Sequence, residues 1–183
     1  MTDILVRELS RPERPALEAH LLALGGQDRR LRFGAALNDA AVSAYVERID
    51  FERDALFGVF DDALRLAGAA HVARNGAHAE LGVSVLEDHR GRGIGGALLA
   101  RAHLRARNWG VRALFMHCLT ENAAMMHLAR KQKMEIVAEY EADAWLKLSP
   151  ADASSHFGEV FAQRVALFDY ALKQGRAWLG PGR

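Results

Sequence analysis

Residues 77–97 read AHAELGVSVLEDHRGRGIGGA: an alternating apolar run, a short charged turn, and a glycine-rich segment that opens onto a helix-forming stretch. Glycine lets the main chain turn tightly and brings its N–H groups against an anion with no Cβ in the way. A helix that follows at once adds unpaired N-terminal donors and the positive end of its dipole. Arg90 and Arg92 flank the turn, and guanidinium forks match phosphate oxygens two at a time. The segment Arg90-Gly91-Arg92-Gly93-Ile94-Gly95-Gly96 therefore reads as a cradle for a diphosphate.

The flanks decide which diphosphate. Gly91-x-Gly93-x-x-Gly96 also has dinucleotide spacing, but a parallel βαβ unit places an acid roughly 20 positions further on to hold a ribose. That region is Ala113-Leu-Phe-Met-His-Cys-Leu119, and no acid comes before Glu121. A nucleoside-triphosphate loop fails sooner, since no Gly-Lys-Ser/Thr follows the glycines. Asn75-Gly76, between the strand-like runs Leu66–Arg74 and Ala77–Leu86, favours a hairpin. The strand feeding the cradle is then antiparallel to the one before it, which disfavours a nicotinamide or flavin unit.

In this context the chain resembles the GCN5-related N-acetyltransferase (GNAT) family, whose acyl-CoA pyrophosphate loop follows Gln/Arg-x-x-Gly-x-Gly/Ala. Arg90, Gly93 and Gly95 fill that pattern. Val85 sits where the family's preceding strand offers main-chain groups to the pantetheine arm, and Asn122 opens a stretch similar to its Asn-containing helix beside that arm. The likeness covers residues 3–148. It departs at Ala129, where many members carry a tyrosine, and at Lys133-Met134, where they carry Gly-Phe. The resemblance thus implies the fold and acetyl-CoA as acyl donor, without the usual tyrosine general acid. Arg30-Leu-Arg-Phe33, Ala79-Glu80 and Asn122-x-x-Met-x-x-Leu-Ala-Arg-Lys131 are most similar to bacterial protein-lysine acetyltransferase domains.

Acyl transfer from a thioester requires a neutral amine, so a proton must leave the ammonium, directly or through water. Glu80, ten residues before Arg90, matches by resemblance the carboxylate used as general base. Desolvation in a cleft would make it a better base near neutrality. The developing oxyanion needs preorganised donors, and the main-chain N–H groups from Val83 to Val85 are candidates. His127, Tyr140, Tyr45 and water are the candidates for protonating the thiolate. The expected activity is acetyl-CoA-dependent transfer to a primary amine, on protein lysine or a small molecule, by direct attack in a ternary complex. The alternative is a regulatory domain that binds acetyl-CoA without transfer.

Bulk properties bound this reading. The chain has 183 residues, 50% hydrophobic and 26% charged, and a formal charge of +1. This suits one globular domain and gives no footprint for nucleic acid or a polybasic membrane anchor. No apolar run approaches the ~20 residues of a membrane span, and the N-terminus lacks the basic and apolar regions of a secretory signal. Cys118, the single cysteine, excludes an intramolecular disulfide and reads as an inert buried thiol, so a cytoplasmic location is expected. The eight histidines lack metal-ligand spacing, and no metal is expected.

Along the chain, Ile4–Leu9 reads as a strand and Pro12–Leu24 as a helix. A polar break, Gly25–Arg30, leads to Leu31-Arg-Phe33, and Asn38 caps a helix over Asp39–Ile49. By resemblance, segment 25–53 borders the acceptor. Leu56–Phe60 and Leu64–Arg74 are strands in which Gly58 and Gly68 mark bulges or close backbone approach. After the cradle come a helix over 95–109, a strand over 112–119, a helix over 121–132, and one bent strand or two from Ile136 to Leu148. The fold class is α+β: a mostly antiparallel sheet of six or seven strands with a local parallel pair, flanked by helices. Residues 1–148 form the acetyltransferase domain. Residues 149–183 are a helical extension packed on it, capped by Ser154 or Ser155 and running to about Lys173, with a tail from Gly175 expected to lack order. Its apolar positions suit packing on the domain or a homodimer contact.

Overall fold

The computed structural model describes residues 4–138 and 141–179, with side chains omitted at 136–138, 141–143, 178 and 179. Seven strands, β1 (Arg7–Leu9), β2 (Ala55–Phe60), β3 (Leu66–Asn75), β4 (His78–Val85), β5 (Ala113–Leu119), β6 (Glu135–Ala138) and β7 (Glu141–Lys147), form one sheet in the order β1-β2-β3-β4-β5-β7-β6. Every neighbouring pair is antiparallel except β4 and β5. Asn75-Gly76 makes the expected hairpin: Asn75 pairs with His78, and Gly76 takes a φ of 57°.

Helices α1 (Arg14–Leu22), α2 (Gly26–Phe33) and α3 (Asp39–Glu47) precede β2. Helix α4 (Ile94–Asn108) follows the cradle, α5 (Ala123–Lys131) follows β5, and α6 (Ala153–Leu179) ends the chain. On α4 the residues Ile94, Leu98, Ala102 and Ala106 recur every fourth position and are buried, the stripe that a helix lays on a sheet. They pack with Phe57, Val72, Leu81 and Val83. A Cβ on Gly68 would lie 3.1 Å from Leu98 and collide with Ile94, so this glycine sets how closely α4 approaches. The opposite face is closed by Leu17 and Leu21 of α1 and Val42 and Val46 of α3, against Leu56, Phe60 and Ala69. As the sequence suggests, Asn38 caps α3, its Oδ1 accepting from the Ala41 amide at 2.9 Å.

Two elements differ from the sequence reading. The polar segment after Gly25 is helix α2, not a break. No apolar stripe announces it; its side chains are anchored one by one. The Arg29 guanidinium donates to the Leu22 and Leu24 carbonyls, satisfying the end of α1, and pairs with Asp39 at 2.6 Å. Gly34, with a φ of 76°, ends the helix in the left-handed conformation that glycine adopts without a Cβ penalty.

Helix α6 is the second. Its N-terminal acceptor is Asp152, whose Oδ1 takes the Ser155 amide at 2.7 Å, and the helix continues through Gly175 to Leu179. It docks by its polar face. Glu159 pairs with Arg101 and Arg105 of α4, Gln163 accepts from the Glu8 amide at 2.8 Å, and the Lys173 ammonium reaches the Phe60 carbonyl at 3.0 Å. Burial alone would push the Glu159 carboxyl up, but donors from Arg101, Asn108 and Arg105 outweigh it and hold the group below its usual range. The outward face carries Phe157, Val160, Phe161, Phe168 and Leu172, all exposed. Among the described residues no helix is long and apolar enough to cross a membrane.

His20 of α1 crosses to the sheet: its Nδ1–H donates to the Leu66 carbonyl and its Nε2 accepts from the Ser84 hydroxyl, both at 2.8 Å. Burial, more than the nearby Arg32 charge, pushes its pKa from 6.5 down to about 4. Below pH 6.5 the unfolded chain takes up a proton that the folded chain refuses. Stability is therefore full above that pH and falls by about 3 kcal/mol as pH drops toward 4. Urea titrations at pH 7 and pH 4.5 check this, and His20→Gln should lower stability at pH 7 while reducing the loss over that window.

Candidate active site

Strand β4 points straight into the cradle. After Val85 come one turn of 3-10 helix, Glu87–His89, and then the glycines. Gly91 and Gly93 have φ values of 74° and 86°, a region where an L side chain is strained, so the sequence places glycine where the turn demands it. The turn leaves the amides of residues 91–96 pointing at no acceptor among the described residues; the first return bond is from the Ala97 amide to the Gly93 carbonyl at 3.1 Å. These donors sit at the start of a 15-residue helix, the arrangement that binds anions. Ile94 buries its side chain in the core and offers only its amide. Gly95 and Gly96 face Leu128 of α5, and a Cβ on Gly95 would come within 3.1 Å of it.

The two arginines are not equally free. The Arg90 guanidinium pairs with Asp28 of α2 at 2.6 Å, and its Nε donates to the Val85 carbonyl at 3.3 Å. Arg92 is exposed and donates to the Asp88 carbonyl at 3.0 Å. Beneath the turn, Arg65 and then His89 hold the Asp88 carboxyl down to about 2, which keeps that corner ionised.

Pairing between β4 and β5 lasts only from His78↔Ala113 to Glu80↔Phe115. Beyond it β4 runs on to Val85 and β5 to Leu119, so the strands part. The Ala77 carbonyl accepts from Arg112, on the β5 side, and the Leu86 amide donates to Ala67, on the β3 side. Backbone groups alternate along a strand, so the main-chain groups of Val83 and Val85 face the gap.

Helix α2 straps that gap. Asp28 holds Arg90 of the cradle, Arg30 pairs with Glu121, and the Leu31 carbonyl lies 3.5 Å from Asn122 Nδ2. Asn122 is buried and caps α5, its Oδ1 accepting from the Met125 amide at 3.2 Å.

Glu80 is exposed on the face of β4 that also carries His78, Gly82 and Ser84. It borders an open cleft of ≈ 390 Å³ lined by Asn75, His78, Ala79, Phe115 and His117. On the same face lies a polar chain. Asp54 Oδ2 accepts from His71 Nε2 at 3.1 Å, the Tyr45 hydroxyl donates to His71 Nδ1 at 2.6 Å, and the Arg32 guanidinium donates to the Tyr45 oxygen at 3.1 Å. Burial lowers the His71 pKa, Asp54 opposes this, and Arg32 adds to it, so the ring is neutral at pH 7.

The sequence model described as the Acetyltransferase (GNAT) family matches residues 27–134. The chain belongs to the GNAT acetyltransferase family. It is 27% identical over 123 residues to the GCN5-related N-acetyltransferase 4, chloroplastic, of Arabidopsis thaliana, a match that spans 64% of this chain but only 42% of that relative. Its fold is similar to that of the GNAT domain of S. lividans PAT, with a TM-score of 0.67 and 19% identity over 78% of this chain and 89% of that one. A spermidine N-acetyltransferase from Vibrio cholerae, solved with CoA and spermine, gives a TM-score of 0.62 and 17% identity over 78% and 94% of the two chains.

The GNAT sheet brings the candidates from 80 to 96 into one line, with Asn122 beside it. Two of the sequence candidates for a general acid separate here. Tyr45 belongs to the polar chain, while Tyr140 lies outside the described residues. Ala129 is fully buried, packed with Met116, Met134 and Ala144, so a core contact occupies the family's tyrosine position. Sequence reasoning missed Arg32, His71 and Asp54. Only the alternation of β3, which leaves His71 on the polar face opposite Gly82, carried a signal for them. Tyr45→Phe should remove a half-buried donor from His71 and an acceptor from Arg32, costing about 1 kcal/mol, read as a lower denaturation midpoint at unchanged m-value.

Proposed function

We propose that this GNAT chain is an N-acetyltransferase that carries an acetyl group from acetyl-CoA to a primary amine by direct attack in a ternary complex. The observation that carries the reading is the row of unspent amides at 91–96, placed where β4 leaves β5. Amides from Gly91 to Gly96, with Arg92 at the rim, hold the pyrophosphate. Arg90 joins them when it exchanges Asp28 for a phosphate oxygen. The pantetheine arm lies in the gap and continues the sheet through the main chain of Val83 and Val85, with Asn122 at its border.

The chemistry then needs few protein groups. Glu80, at the edge of the cleft, takes a proton from the ammonium, directly or through water, and the freed lone pair attacks the thioester carbon. The Val83 amide meets the oxyanion. The carbon–sulfur bond breaks, the electron pair leaves on sulfur, and the second proton of the attacking nitrogen passes to the thiolate through water. Glu80 stands exposed in the free protein, so its desolvation comes only with donor and acceptor in place.

Calorimetry with acetyl-CoA, CoA and NAD tests the cradle: micromolar binding of the CoA compounds alone is expected, and Gly93→Asp should abolish it. Binding of NAD, or of none, overturns the reading. Glu80→Gln should reduce turnover by about 10²-fold or more and remove the acidic limb of its pH profile; binding without turnover of any amine would instead mark a regulatory acetyl-CoA sensor.

A homodimer through α6 belongs to the same reading. A two-fold axis across the exposed stripe sets Phe157 against Leu172 and Phe161 against Phe168, a self-complementary contact of the isologous kind. Sedimentation equilibrium should give a dimer that Phe161→Asp converts to a monomer; a monomeric wild-type protein removes the proposal.

A further inference from the structure

Arg32, in the last turn of α2, is a cation set into the protein without an anion. A guanidinium drawn into a protein is costly unless it is paired and hydrogen-bonded; the two buried arginines each have a carboxylate, Arg7 with Glu13 and Arg101 with Glu159, whereas the half-buried Arg32 has none. Arg32 forms no ion pair among the described residues. It donates once, to the Tyr45 oxygen, lies 4.9 Å from the Phe33 ring centre, and has a buried Nε with no acceptor.

Its orientation is imposed from behind. Asp54 fixes the His71 tautomer, His71 Nδ1 accepts the hydrogen bond of the Tyr45 hydroxyl, and the Tyr45 oxygen is thereby left to accept from Arg32. Three residues, on α3, β3 and the bend before β2, thus hold one guanidinium in place with donors to spare. The place is the acceptor face of β4. Arg32 lies directly over Gly82, where a Cβ would collide with the guanidinium, and Gly82 is two positions from Glu80 on the same side of the strand. Two residues of strand measure about 7 Å. An ammonium and a carboxylate a few bonds apart span that distance when a hydrogen bond is added at each end.

We infer that Arg32 receives a carboxylate on the acceptor, which makes the acceptor a small amino acid whose amine lies at Glu80 and whose carboxylate lies at Arg32. The role of Glu80 in this rests on the acetyl-transfer reading above; the carboxylate receptor does not. The field of Arg32, which adds to burial in depressing His20 and His71, has the wrong sign for a polyamine. Gly82 is explained too, as the position where any side chain would displace the receptor.

The test uses matched pairs that differ by the carboxylate: alanine and ethylamine, lysine and cadaverine, phenylalanine and phenethylamine. Affinity is read by calorimetry with and without CoA, and acetyl transfer from acetyl-CoA is read for the same six compounds. In at least one pair the amino acid should be favoured by about tenfold or more. Arg32→Gln should bring that ratio close to one, with Arg32→Lys retaining part of it. Gly82→Ala keeps the charge but unseats it, and should erase the preference as well, so the test survives if one variant fails to fold.

Plain amines favoured in every pair, equal binding within every pair, or a preference untouched by Arg32→Gln would overturn the carboxylate site. If CoA binds and the pairs are equal, the carboxylate site alone falls. If CoA does not bind but the Arg32-dependent preference remains, the transfer reading falls and the carboxylate site stands.

Discussion

The parallel ladder between β4 and β5 is three residues long, and the organisation of the site follows from its ending there. Backbone N–H and C=O groups inside a protein need partners, so two strands that part within a sheet leave a row of groups to be satisfied by something else. Here the surroundings are arranged around that row. Strand β4 runs on without its neighbour to Val85, the glycine turn adds the free amides of 91–96, and α4 and α5 form the walls beyond. A ligand that presents alternating acceptors and donors, and ends in two phosphates, answers all of these at once.

Holding such a gap open is a matter of charge more than of apolar packing. Helix α2 contributes no buried residue, yet Asp28, Arg29, Arg30 and Arg32 tie it to the cradle, to α1 and α3, to the start of α5, and to α3 near β4, in turn. Half-exposed ion pairs are individually weak, so the strap is fixed by their number and direction. One of them, Asp28–Arg90, occupies a cation that a diphosphate would claim. Helix α2 is therefore tied to the glycine turn through Arg90, and a diphosphate bound at that turn would change what holds the strap.

The fold was legible in the sequence because its signals are local. Asn75-Gly76 announces the hairpin and Asn38 the start of α3. The glycine turn was legible for the same reason, since Gly91 and Gly93 take the two positive φ values within it. What could not be read depends on distant partners. Helix α2 has no stripe because its contacts are ionic, and Asp152 serves as an N-terminal acceptor only because Arg107 and the end of α4 hold it there. Asp54, His71, Tyr45 and Arg32 come from four separate elements or loops, and no spacing in one dimension brings them together.

The same network accounts for the charge balance of the face of β4 that carries Glu80. His20 and His71 are each fixed in one tautomer by two hydrogen bonds, and burial keeps both neutral near pH 7. Imidazoles that stay neutral leave Arg32, over Gly82, as the cation of this face, with Asp54 behind His71 and Glu80, two strand positions from Gly82, as its anions. A field of that shape is dipolar. It favours a ligand that is itself a dipole in the opposite sense, and it penalises a ligand with a single sign of charge spread along its length. A protein that needed only to admit any primary amine would gain nothing from orienting a guanidinium through three other residues. The arrangement has a use where one end of the acceptor must be told from the other.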